Sequence, residues 1–123
     1  MIIVTKVIAK LNTITGNNVS SLGAEGTVRT EDIYTSVRVA KKAQYKQNTD
    51  KYTVIMYLYI HALTEDAIIT LHPLVVALFD ETSLTDTDIK TYQVSVLENN
   101  LESTYDGMHF ESIIPIKIAY KEL

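Results

Sequence analysis

Lys51–Leu63 reads KYTVIMYLYIHAL, alternating as a strand does, with apolar residues on both faces. One face carries Tyr52, Val54, Met56, Leu58, Ile60 and Ala62; the other carries Ile55, Tyr57, Tyr59, His61 and Leu63. Successive side chains of an extended chain point to opposite sides, so a strand of this composition needs cover on both. It is far longer than the usual strand of about 5–6 residues. At ~3.3 Å per residue it would reach ~40 Å. That is about the width of a compact domain of this size, whose radius of gyration is near ~14 Å. Either the strand crosses the whole domain or something else covers part of it. The pattern points to assembly.

Upstream, Ile33 to Tyr45 alternates as well. Ile33, Thr35, Val37, Val39, Ala43 and Tyr45 face inward, and Tyr34, Ser36, Arg38, Ala40, Lys42 and Gln44 face outward. Lys41 breaks the inward row. Gln47-Asn48-Thr49-Asp50 turns the chain, which predicts a long antiparallel hairpin with Tyr52 to Leu63. Ile2 to Thr13 reads as a first strand, Gly16-Asn17-Asn18 as a turn, and Val19 to Gly26 as a loop or short edge strand.

Thr64-Glu65-Asp66 has the chemistry of a helix cap, but Pro73 would end such a helix early. Two short strands, Ala67–Leu71 and Leu74–Phe79, are preferred. Further strands are expected over Asp88–Leu97 and Ser112–Tyr120, the latter at a sheet edge because Pro115 cannot donate to a ladder. With Thr, Val, Ile and Tyr abundant, the expected fold is all-β: an antiparallel sandwich or barrel of seven to eight strands around the central hairpin. No linker or repeat divides the chain, so residues 1–123 read as a single domain.

Composition narrows the function classes. With 46% hydrophobic and 21% charged residues the chain is ordinary globular protein. Runs such as Leu74–Phe79 are too short to span a bilayer, and Lys6 and Lys10 interrupt what a signal peptide would need as its apolar core. A virion or cytoplasmic location is expected. There is no cysteine, which excludes disulfides and thiolate-ligated metals. A net charge of −4 argues against nucleic acid as the partner, although Arg38, Lys42 and Lys46 with Tyr34 offer a basic strand face.

The charge is split along the chain. Between Arg29 and Lys51 lie six bases and three acids; between Asp80 and Glu111 lie eight acids and only Lys90. Such halves are able to complement each other between subunits.

Candidate sites are few. His61, His72 and His109 are the groups able to titrate near neutrality, but no two have metal-ligand spacing, so a three-histidine site would have to assemble in space. Asp80, Glu81, Asp86 and Asp88 cluster their carboxylates, and Asp86-Thr87-Asp88 echoes the start of a calcium loop without its glycine or distal glutamate. No nucleophile elbow or phosphate loop is present. No catalytic residue, metal or cofactor is expected, and the chain reads as non-enzymatic. Tyr57, Tyr59 and His61, with Arg38 and Lys42, are the expected interface, because rings with polar tips suit a surface partly wet and partly buried.

A short, cysteine-free, β-rich chain, rich in Thr and Asn and without a leader, resembles the small β-rich virion proteins of tailed phages in overall character. That resemblance implies a structural subunit, such as a capsid auxiliary, head–tail connector or tail component, whose partners are other protein subunits. The alternative is a carbohydrate- or small-ligand-binding β-sandwich that uses its Tyr rings.

Overall fold

A computed structural model of the chain describes residues 2–14, 18–21, 33–44, 50–80 and 82–123, and of 18–21 the backbone alone. The elements run α1 (Ile2–Leu11), β1 (Asn18–Ser21), β2 (Ile33–Gln44), β3 (Lys51–Ala62), α2 (Glu65–Phe79), β4 (Ile89–Val96), β5 (Thr104–Tyr105) and β6 (Phe110–Glu122). The strands form one open six-stranded sheet in the order β1-β2-β3-β6-β4, with β5 also on β6. Only β1 and β2 are parallel. Both helices pack on one face of this mostly antiparallel sheet. The all-β expectation therefore fails on two elements, and neither a barrel nor a second sheet is present among the described residues.

The first correction is α1. Ile3, Val7 and Leu11 are fully buried, with Val4 and Ile8 beside them. Positions four apart share a side in a strand and also lie one turn apart in a helix, so this stripe satisfies both periods. β-branched residues tilted the reading toward strand. Lys6 and Lys10 fit a helix whose outer side faces water.

The second is α2. The Thr64 Oγ1 accepts the Ala67 N–H at 3.3 Å, and Glu65 and Asp66 lie in the first turn, where the helix dipole favours acids. Ile68, Leu71, His72, Val75 and Phe79 form its buried stripe. Pro73 lies inside the helix rather than ending it. It removes the bond that the Ile69 carbonyl would accept, but Pro73 and Ile69 are both exposed, so water can serve that carbonyl.

The long hairpin is present, pairing Ile33 with Ala62 through to Gln44 with Tyr52; its expected turn at 47–50 lies largely outside the described residues. A bulge between Val39 and Lys41 resets the alternation, so Lys41 falls opposite Ile55 and Lys42 opposite Val54. Lys41 thus breaks the inward row because the strand gains a residue there.

β6 is the third correction. It lies between β3 and β4 rather than at an edge. In an antiparallel strand the N–H and C=O of one residue point to the same side. The Pro115 carbonyl accepts the Leu97 N–H at 2.9 Å. Its missing N–H therefore lies on that side too, in the gap between the β4 ladder, which stops at Val96–Ile116, and the β5 ladder at Glu111. The β3 ladder loses nothing.

Under the helices, Val54, Met56, Leu58 and Ile60 of β3 meet Ile114, Ile116, Ile118 and Tyr120 of β6, all fully buried. Burial of each such side chain contributes about 1.5–3 kcal/mol before entropy is counted.

Candidate functional site

The opposite face of β3 is different. Ile55, Tyr57 and Tyr59 are only half-buried, as are Pro115 and Lys117 of β6, and Ile113 is 45% exposed. Among the described residues no element packs over this side, and the second apolar face of the central strand is uncovered at its middle.

At one end of that face the rings close over one another. Tyr34 pairs in register with His61 and stacks on it, ring centres 4.3 Å apart and planes 10° from parallel. Tyr59 follows at 6.4 Å, and Tyr57 meets Tyr59 edge-on at 6.5 Å. His109 stands edge-on to Tyr34 at 5.3 Å and is itself buried. The Arg38 guanidinium lies 5.6 Å over the Tyr57 ring.

His61 is consequently 7% exposed despite its place on the open face. Its Nε2 is 3.5 Å from the buried Ser36 Oγ, and its Nδ1 is 3.4 Å from the Glu111 Oε2. Asp106 completes the cluster from the turn that begins after β5. Its Oδ1 accepts the backbone N–H groups of Met108 and His109 at 2.9 and 2.7 Å. Those bonds hold the Asp106 carboxyl below its ordinary range. Gly107, at φ +98°, supplies the left-handed residue this turn requires. Burial, and then the charge of Asp106, push the Glu111 carboxyl above its ordinary range.

Of the expected interface residues, Arg38, Tyr57, Tyr59 and His61 come together on this face. Lys42 does not. The bulge carries it to the helix side, where its ammonium lies 4.3 Å over the Tyr52 ring. Sequence reasoning put Tyr34 and Ser36 on the outward face with Arg38 but not beside His61, and gave Asp106 and Glu111 no place there, because only the strand register and the 106–109 turn bring them together.

The remaining candidates resolve into structure. His72 sits under the sheet, with Nδ1 3.2 Å from the Ser112 Oγ and Nε2 3.1 Å from the Asn99 carbonyl, tying α2 to β6 and the 97–103 segment. The three histidines therefore do not converge. In the acidic stretch, the Lys6 ammonium stands where a cation was conceivable, 2.6 Å from Asp86 and 2.9 Å from Asp88. The Asp86 Oδ1 also accepts the N–H groups of Asp88 and Ile89. That loop anchors α1; of its acids, Glu81 lies outside the described residues.

Charge on the open face is unevenly placed around Tyr57. Arg38 and Lys41 stand on the β2 side. Glu98 and Glu102, with Glu111, line a shallow depression of about 240 Å³ on the β6 side, together with Tyr57, Asn100, Thr104, Ile113 and Pro115. Toward the other end of the strands the same face carries bases: Lys117 and Lys121 on β6, with Lys51 of β3 and Lys90 of β4 paired on either side of Lys121.

No protein-family model matches this chain, and no curated protein matches it. Among the described residues, no helix is long and apolar enough to cross a membrane.

Proposed function

We propose that this protein is a non-enzymatic structural subunit that assembles with further copies of itself through the open face of its sheet. The observation that carries this is the partly exposed Ile55–Tyr57–Tyr59 row on β3, flanked by Ile113 and Pro115 of β6, with Arg38 beside Tyr57 on the β2 side and Glu98, Glu102 and Glu111 beside it on the β6 side. Aromatic centres bordered by polar groups are where binding energy concentrates in subunit contacts. Two copies packed face to face about a two-fold axis parallel to the strands would set the Arg38 side of one over the Glu98–Glu102 side of the other. The short edge strand β1 offers a second, weaker route by strand addition.

Within this class, a virion component of a tailed phage is the specific proposal. It rests on the compositional resemblance and on the assembly face. The depression beside Tyr57, with polar Asn100 and Thr104, supports the second reading, a small-ligand or carbohydrate module.

Tyr59→Asp separates these. A folded but monomeric variant, beside an Ile69→Asp control on the exposed side of α2 that still associates, is the expected result. A Tyr59→Asp protein that associates as the parent does would remove the open face from the account.

A further inference from the structure

The geometry points to a divalent transition-metal site, of the kind zinc fills, formed by His61, Asp106 and Glu111. One donor atom from each residue lies within 4.8 Å of the others. All three ligands come from one chain, so binding does not require a second copy, although His61 and Glu111 also lie on the open face.

Donor chemistry comes first. One imidazole nitrogen with two carboxylate oxygens suits zinc and its first-row neighbours, whereas calcium and magnesium take oxygen sets. Spacing agrees. Tetrahedral ligands about 2.1 Å from a zinc ion stand roughly 3.4 Å from one another. His61 Nδ1 and Glu111 Oε2 are already 3.4 Å apart. The Asp106 donor atom lies within 4.8 Å of the other two, and the backbone bonds of that carboxylate engage Oδ1 and leave its second oxygen for the third corner.

The surroundings match what metal ligands require. The ring face of His61 is fixed by Tyr34, and its far nitrogen meets the Ser36 hydroxyl, the kind of outer partner that orients a ligating imidazole. The Glu111 carboxyl is partly buried and the Asp106 carboxyl exposed, and a cation held between them would offset the repulsion of two like charges. The ligands come from β3, from β6 and from the turn at 106–109, so a bound ion would clamp that turn to the sheet.

A plain contact of His61 with Glu111, beside an Asp106 that only closes the 106–109 turn, is the competing explanation. Titration of the full chain with Zn²⁺ against a chromophoric chelator decides between them, with Co²⁺ absorption as a second readout. The expected result is one equivalent bound, a rise in melting temperature, and affinity at least about tenfold weaker in both Asp106→Asn and Glu111→Gln. Ser36→Ala should weaken binding by about tenfold while leaving the stoichiometry at one. Both carboxamide variants are close in shape to the parent, and circular dichroism confirms their fold. Absence of a bound equivalent in the parent, binding unchanged in both variants, or Ca²⁺ competing as well as Zn²⁺ would overturn the site.

Discussion

Arg38 and Lys42, four positions apart on one strand, face opposite sides of the sheet. Arg38 pairs with Tyr57 on the open face, and Lys42 pairs with Val54 on the helix side, because the bulge between Val39 and Lys41 inserts a residue. Without the bulge the two charges would lie on one side. Their separation gives a test that does not depend on net charge. Arg38→Glu is expected to weaken self-association several-fold and to reduce its salt sensitivity, while Lys42→Glu, with the same charge change, leaves both unchanged. Sedimentation velocity at two ionic strengths reads the difference. Equal effects from the two variants would mean that bulk charge drives association.

Tyr120 carries a second prediction. Its ring is fully buried beside Tyr52 at 5.5 Å, and its hydroxyl has no hydrogen-bond partner among the described residues. Tyr120→Phe removes an unsatisfied buried group and is expected to leave stability unchanged or raise it by up to about 1 kcal/mol. Tyr120→Ala should cost about 3–5 kcal/mol. Urea denaturation measures both. The phenol is pushed up to about 12, mainly by burial. An unfolded tyrosine ionises near ~10, so the unfolded state loses its proton first. Stability should fall as pH rises from about 10 toward 12, and less so in Tyr120→Phe.

Acid should act at the other end of the scale through Asp86. The Lys6 ammonium beside it, and the Asp88 N–H it accepts, hold its carboxyl below the ordinary range. A depressed carboxylate stabilises the fold above its unfolded pKa, and that contribution is lost as pH falls through the lower folded value. Asp86→Asn should therefore flatten the loss of stability below about pH 4 and be least stable relative to the parent at neutral pH. Thermal melts from pH 2 to 7 follow the curve. An identical acid limb in parent and variant would show that the loop does not anchor α1 energetically.

The sequence was most legible where one period was unambiguous. Ile33–Gln44 and Lys51–Ala62 alternate over whole strands, and the hairpin follows from them. It was least legible where two periods coincide, as at Ile3, Val7 and Leu11, and where a proline has two tolerable settings. Pro73 sits on the wet side of a helix and Pro115 in a gap between ladders, and neither circumstance is local. The site divides in the same way. Tyr57, Tyr59 and His61 lie on one face by alternation alone, so they were readable. Tyr34, Ser36, Asp106 and Glu111 reach His61 through the β2–β3–β6 register and the 106–109 turn, which only the tertiary fold fixes.

The solution mass of the purified chain, by light scattering over a wide concentration range at low and high salt, tests the central claim most directly. Assembly through the open sheet face predicts a defined oligomer that loosens as salt screens the Arg38 side from the Glu98–Glu102 side. A monomer at every concentration and both ionic strengths would contradict it.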